Sequence, residues 1–381
     1  MKIAFLTSNN ARDRRSFSST HFYMGEALLR HGFEVSFIGP LKPWEEFIGR
    51  AINKISQKIL KKKFRYLHTP YLAKRYARMA EKKMKGIDFD FIFAPAGSKE
   101  TAYLKTNVPI IYTSDVTWKL LNNYYSKFSN MLGLSIKQGN VIEKRAIQNA
   151  SLLPYPTHWV ADSVINDYGG NPSRVSIIPW GGNIDNVPSR EVVLARKKSK
   201  ECRLFFVGVH WQRKGGEIAY QTILELEKLG INAHLTICGV VPPPGFEHPR
   251  IEVIPYLSKQ NEEERKRFEE LYLTSDFFLL PTRAEAYGMS LCEAASFGLP
   301  AIATHTGGIV EVVKDGVTGF LLPIEAKGAN YAKLIKEIYE DDARYMKMVI
   351  ASRNHFEETL NWDSWAKSFM ELLKNYKATQ K

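Results

Sequence analysis

Short apolar runs alternate with longer stretches of helical period along the chain. "KIAFLT" reads as a strand, "THFYMGEALLRHG" as a helix stopped at Gly32, and "EVSFIGP" as a second strand. Further on, "FIFAP", "PIIYTS" and "VSIIPW" are β-branched or aromatic runs bounded by Pro or Gly. Strands covered on both faces show continuous apolar runs of this kind, so the order predicts parallel sheets between layers of helices. The rhythm breaks at "GGNIDNVPSREVVLARKKSKE", which is polar, has no apolar period and predicts a linker at 185–200. It then restarts. "CRLFFVGV", "AHLTICG", "IEVIPYL", "DFFLLPT" and "PAIATH" read as strands. "GEIAYQTILELEKLG", "EEERKRFEELYLTS", "GMSLCEAASFG" and "NWDSWAKSFMELLKNY" read as helices. The predicted fold class is α/β, with two tandem doubly wound, Rossmann-like domains over 1–185 and 200–360 facing a central cleft. Ligands of such sheets sit beyond the carboxyl ends of the strands.

Composition supports two domains: the chain has 381 residues, 44% hydrophobic and 12% aromatic, enough for large cores and too apolar for disorder. Cys202, Cys238 and Cys292 are far apart and set in apolar or helical runs, which predicts buried thiols in a reducing compartment. "MKIAFLTSNN" has four consecutive apolar residues, too few for a signal-peptide core, and no run approaches the length of a membrane span. A cytoplasmic protein is expected. The charge changes the picture more. Net charge is +13, and residues 50–85 hold thirteen Lys/Arg against one acid, Glu81. Within it, "RAINKISQKILKKKFRYL" places Ile52, Ile55, Ile59 and Leu60 at helical spacing among basic residues. That pattern suits a helix lying on an anionic membrane surface, where each cation contributes about 1 kcal/mol. The plain alternative is a solvated helix face. No nucleic-acid module is visible, so nucleic acid is not an expected partner.

Candidate chemistry concentrates in "PTRAEAYGMSLCEAASFGLPAIATHTGG", Pro281 to Gly308. Its two acids, Glu285 and Glu293, are eight apart, but so are Glu26/Glu34, Glu217/Glu225 and Glu262/Glu270, so spacing alone separates nothing. Context does. Glu285 follows a buried-looking strand, and "AYG" then opens a helix whose first amides, at Gly288, Met289 and Ser290, form an anion site. A second set of amides is expected at Thr306, Gly307 and Gly308. Arg213 and Lys214 precede Gly215-Gly216 after "CRLFFVG", where they can neutralise a diphosphate. Carboxylates for hydroxyls, with amides and cations for phosphate, suit a phosphate-bearing ligand rich in hydroxyls.

"RAEAYGMSLCEAASFGLPAIATHTGGIVEVVKDGVTGFLLP" resembles the donor-binding signature of the retaining glycosyltransferases of family 4, which have the GT-B fold. The likeness extends through "FFVGVHWQRKGGE" and "HWVADSVINDYGGNPSRVSIIPWGGNID", and more weakly to the first half. It implies a nucleotide sugar bound by the C-terminal domain, an acceptor bound by the N-terminal domain, and a last helix, 361–381 with Trp362 and Trp365, crossing back to the first domain. Carried over, Glu285 holds a hydroxyl of the donor sugar beside the Ala286, Tyr287, Gly288 and Met289 backbone. Glu293 binds the ribose, Lys214 the diphosphate, and Ile254, Tyr256 and Leu257 lie by the base. Two departures stand out. Val209 occupies a position that is usually basic, leaving Arg213 to take that role, and Asp115 in "YTSDVTW" stands where many members have a histidine. Asp115 could bind a sugar hydroxyl or help deprotonate the acceptor; it could also cap the following helix. "SNNARDRRSFSSTHF" replaces the usual N-terminal glycine loop, making Arg14, Arg15, Ser18, Ser19 and His21 candidates for acceptor contacts.

The implied reaction is transfer of a sugar from a nucleotide diphosphate to a hydroxyl of a glycan or lipid-linked acceptor in cell-envelope polysaccharide or glycoconjugate synthesis, at the inner face of the membrane. No Asp-X-Asp motif and no histidine-based ligand set is visible, so neither a metal nor another cofactor is expected. A nucleotide-sugar epimerase of similar fold, or a non-catalytic nucleotide-sugar-binding protein, is the alternative.

Overall fold

The computed structural model describes residues 1–198 and 200–380. The chain divides into two compact units, Met1–Pro179 together with the chain from Trp365 onward, and Trp180–Ser364.

The first unit contains β1 (Lys2–Leu6), β2 (Glu34–Ile38), β3 (Phe91–Pro95), β4 (Ile110–Thr113), β5 (Leu153–Tyr155) and β6 (Val175–Ile177). The first four form a parallel sheet in the order β2-β1-β3-β4. β5 pairs with β6, and a bridge from Ile111 to Leu152 carries that pair alongside β4. Ile3, Ala4, Phe5 and Leu6 are all buried, so helices cover both faces of β1, which is why its sequence shows no alternation. β5 escaped notice in the sequence because "LPY" is three residues with a central proline.

The basic stretch forms two unlike helices. Pro70–Met84 starts with proline, is capped by Thr69 accepting from the Leu72 N–H at 3.3 Å, and buries Leu72, Ala73, Tyr76, Ala77 and Ala80. Glu46–Ile59 is turned the other way. Its buried residues are Gly49 and Ser56. A Cβ on Gly49 would lie 2.5 Å from the Tyr66 ring, so the bare backbone permits that contact. Asn53 accepts from the Phe64 N–H at 2.9 Å, and Ser56 donates to the Lys62 carbonyl at 2.7 Å. The small and polar side therefore docks on the protein, and Phe47, Ile48, Ile52, Ile55 and Ile59 face solvent, with Phe47 77% and Ile59 70% exposed.

The second unit contains β7 (Cys202–Val207), β8 (Ala233–Cys238), β9 (Ile251–Ile254), β10 (Phe277–Leu280), β11 (Ala301–Thr304) and β12 (Gly319–Leu322). All are parallel, in the order β12-β11-β10-β7-β8-β9. The chain thus starts mid-sheet, fills one side, then returns to fill the other, so the strand order reverses between β7 and β10. The stretch expected as a linker is part of this unit. It holds a short helix, Arg190–Leu194, capped by Ser189, and Val193 is fully buried. One core valine gives no period to read, and the division between units falls at Pro179–Trp180 rather than near 185. Ser199 of that stretch lies outside the described residues. The last helix, Trp362–Thr379, belongs to the first unit from Trp365 on, where Trp365 and Phe369 pack against Phe93.

Beneath β4, the Tyr112 hydroxyl donates to the Glu143 carboxyl at 2.7 Å, and burial pushes that carboxyl up to about 7. A carboxyl raised by folding binds its proton more tightly in the native state than unfolded, so its contribution is complete below pH 4.5 and is lost as pH rises through 7. Glu143→Gln is expected to raise the thermal midpoint relative to the parent at pH 8 more than at pH 5; an equal effect at both would contradict this.

Candidate active site

β7 and β10 lie side by side, with Phe277 opposite Leu204 and Phe278 opposite Phe205. Two loops leave their carboxyl ends. The first carries the helical turn Trp211–Lys214 and then Gly215 with φ 76°; the second runs from Pro281 to Gly288. A Cβ on Gly215 would sit 1.9 Å from the Pro281 carbonyl oxygen, so only glycine allows the loops to close on each other. The Arg213 carbonyl accepts from the Thr282 hydroxyl at 2.9 Å and from the Arg283 N–H at 2.7 Å. These bonds fix the side chains beyond them. The Lys214 ammonium donates to the Glu285 carboxylate, and Arg213 Nη1 lies 3.4 Å from the same oxygen and 2.9 Å from the Ala284 carbonyl. The Lys214 and Glu285 side chains are 11% and 13% exposed. Arg213 thus stands beside Lys214 and Glu285, while Val209 is exposed.

A second ammonium–carboxylate pair lies in the same unit. Glu293, on the helix Met289–Ser296, is buried and accepts from Lys259 at 2.6 Å and from the Tyr272 hydroxyl at 3.1 Å. Burial, then the Glu293 charge, pushes the Tyr272 phenol well up, so it remains a donor. Lys259 also donates to the Asn183 carbonyl at 3.1 Å. Sequence reasoning missed Lys259, since a lone lysine in a polar loop carries no local signal. It does follow Ile254, Tyr256 and Leu257 closely, which brings the predicted base-contacting stretch toward Glu293. Of those three, Ile254 is buried, whereas Tyr256 is exposed and Leu257 half-buried.

Other expectations need correction. Gly288 caps the helix with φ 92°, and the first-turn amides at Met289 and Ser290 have no intrahelical partner. The second amide set is not fully available: the Gly308 N–H donates to the Ala286 carbonyl at 3.0 Å, tying the Thr306–Gly307–Gly308 turn to the Glu285 loop. Tyr287 is buried and its hydroxyl donates to the Trp180 carbonyl at 2.7 Å, so its side chain anchors the loop whose backbone was expected beside the donor sugar.

In the first unit, Asp115 follows β4 and is half-buried; Thr117 caps the next helix, accepting from the Leu120 N–H at 3.3 Å. His21 is buried and stacked on Phe17 at 4.5 Å, and desolvation pulls it down to about 4, so it is a neutral core residue and not an acceptor contact. Arg15 pairs with Asp13 at 2.9 Å, Arg14 lies 4.2 Å over the Phe22 ring, and Ser19 donates to the Arg14 carbonyl. Phe17, Ser18 and Ser19 have φ of 48°, 53° and 68°, so non-glycine residues make the left-handed turn that glycines make elsewhere.

Two family profiles match: Glycosyltransferase Family 4 over residues 20–186 and Glycosyl transferases group 1 over residues 195–355. The chain belongs to the family 4 glycosyltransferases. A D-inositol 3-phosphate glycosyltransferase of Corynebacterium diphtheriae is 23% identical to it over 271 residues, covering 65% of this chain and 61% of that protein, so the match spans less than two thirds of the relative. The fold is GT-B. Sucrose-phosphate synthase from Thermosynechococcus elongatus matches with a TM-score of 0.68 at 15% identity over 99% of both chains. A protein from Anabaena solved with UDP and glucose matches at 0.63 and 15% over 98% of this chain and 100% of that one. In this glycosyltransferase-family chain, among the described residues, no helix is long and apolar enough to cross a membrane.

Gly215→Ala is expected to cost roughly 2 kcal/mol or more, because the new methyl meets backbone and not a movable side chain. Chemical denaturation checks it; a loss near zero would mean that the loops are not locked as described.

Proposed function

We propose that this chain transfers a glycosyl group from a nucleoside diphosphate to an acceptor hydroxyl with retention of anomeric configuration. The observation that carries the reading is the contact of Lys214 and Arg213 with Glu285 at the strand-order reversal of the second unit. A diphosphate competes for the same two cations. Once it takes them, Glu285 is left to accept from a hydroxyl of the sugar, and Glu293, which Lys259 holds in place at 2.6 Å, to accept from the ribose. As the bond from the anomeric carbon to the phosphate oxygen breaks, its electron pair stays on that oxygen. Lys214, Arg213 and the Met289 and Ser290 amides meet the growing charge. The acceptor hydroxyl attacks the face that the leaving group vacates, and its proton passes to the departing phosphate. Two fixed cations supply the neutralisation, so no metal is needed in this scheme. Asp115 accepts from a sugar or acceptor hydroxyl.

The same Anabaena protein was also solved with UDP-glucose, which makes UDP-glucose the first donor to try, and the name of the corynebacterial relative makes a phosphate-bearing acceptor reasonable. For a further partner, the solvent-facing Ile48, Ile52, Ile55 and Ile59 stripe, with Arg50, Lys54 and Lys58 alongside, supports contact with an anionic membrane surface and hence a lipid-linked acceptor.

UDP-, GDP- and ADP-sugars are to be screened for thermal stabilisation and slow release of nucleoside diphosphate. One donor is expected to act, undiminished by EDTA, and Glu285→Ala to abolish its hydrolysis; no response to any donor would overturn the reading. Turnover independent of added acceptor and yielding an isomerised sugar would instead indicate an epimerase. Vesicles containing anionic lipid are expected to bind the protein in a salt-sensitive way, weakened by Ile52→Asp/Ile55→Asp and by neutralising Lys61, Lys62 and Lys63. Binding indifferent to salt and to both variants would remove the membrane partner.

A further inference from the structure

A cavity of about 730 Å³ opens in the first unit. Its floor is the carboxyl end of the sheet, with Ser8 after β1 and Lys99 after β3. These strands are neighbours, yet the chain passes from β1 to β2 on the other side, so the cavity lies at the strand-order reversal of this sheet as well. Lys99 is held in place, donating to the Ser8 hydroxyl at 2.8 Å and to the buried Glu100 carboxylate at 2.8 Å. Lys42, Arg50 and Lys127 complete a set of four cations against one lining carboxylate, Glu46. Glu46 is itself engaged, by the Tyr76 hydroxyl at 2.6 Å and by Arg50 at 3.5 Å. Among the described residues Lys42 and Lys127 form no ion pair. Partial desolvation, then the Arg65 charge, holds Lys127 below the ordinary lysine range. Trp44 and Phe47 also line the cavity and are 68% and 77% exposed, giving it an apolar side. Phe47 begins the outward isoleucine face of Glu46–Ile59, so the cavity opens where that face starts.

We infer that this cavity binds the acceptor through a phosphate group, with Lys42, Arg50, Lys99 and Lys127 around the phosphate and Trp44 and Phe47 against the adjoining apolar part. A doubly charged phosphate matches the cation surplus better than one carboxylate, and guanidinium with ammonium groups is the set that recognises it. The inference rests on the transferase reading, and it names the acceptor class. The phosphate can belong to a lipid head or to a free phosphate ester.

The full-length chain is titrated calorimetrically with dihexanoyl phosphatidic acid below its micelle concentration and, separately, with glycerol 1-phosphate. Saturable one-to-one binding of at least one is expected, weakened by about tenfold or more in Lys42→Met/Lys127→Met. Lys333→Met/Lys347→Met removes the same charge from exposed positions of the second unit, outside the cavity, and is expected to leave binding unchanged. Binding of both esters identifies a free phosphate ester as sufficient; binding of the lipid alone identifies the lipid head. Failure of both to bind, or equal weakening in the two variants, overturns the inference. Donor-induced stabilisation is measured on the same preparations. Its loss alongside intact phosphate binding would sink the transferase reading and leave the cavity a phosphate site; its persistence without phosphate binding would do the reverse.

Discussion

In the second unit the Glu285 carboxylate is largely withdrawn from water and held by the Lys214 ammonium, with the Arg213 guanidinium close by. Withdrawing charges from water costs several kcal/mol per ion, and attraction repays this only where the geometry is fixed. The surrounding structure supplies the fixing. Gly215 lets one loop meet the other at backbone distance, and the Arg213 carbonyl takes bonds from Thr282 and Arg283. Behind these lies the parallel pairing of β7 with β10, which alone brings two segments some seventy residues apart to one place. In the proposed transfer the economy lies in orientation: the cations are already placed when a diphosphate arrives, while the displaced Glu285 carboxylate must find a hydroxyl donor in their stead.

The same economy explains what could be read from the chain and what could not. β1, β3 and β10, and β7 from Leu204 to Phe206, carry continuous apolar runs because both faces are covered, so they were legible. β5 and the core-packed Val193 were not, one being a proline-centred triplet and the other a single valine in polar surroundings. At the site, Glu285, Arg213, Lys214 and Glu293 were legible from their places after strands and at a helix start. Lys259 was not, because its meaning lies in a partner far along the chain. His21 misled in the opposite sense. A histidine beside arginines and serines suggests a ligand contact in a sequence, and here it fills the core.

The first unit shows how a charge excess divides by context. Pro70–Met84 turns apolar residues inward and its lysines to solvent, as any surface helix does. Glu46–Ile59 docks through Gly49, Asn53 and Ser56 and leaves its isoleucines outside. That inversion leaves apolar side chains in water unless another surface covers them, and the cations flanking them favour an anionic one. The cationic cavity at the start of the helix joins this surface to the carboxyl end of the sheet. In this account one unit selects a donor by diphosphate, the other an acceptor by phosphate, and both use lysines at a strand-order reversal.

The central claim is that Glu285 competes with the donor diphosphate for Lys214 and Arg213. The affinity of the free nucleoside diphosphate for the parent and for Glu285→Gln tests it most directly. Glutamine keeps the shape and removes the competing charge, so tighter binding is expected in the variant, alongside lost turnover of the sugar donor. Equal or weaker binding of the nucleoside diphosphate would show that those cations are not shared, and the account would fail at its centre.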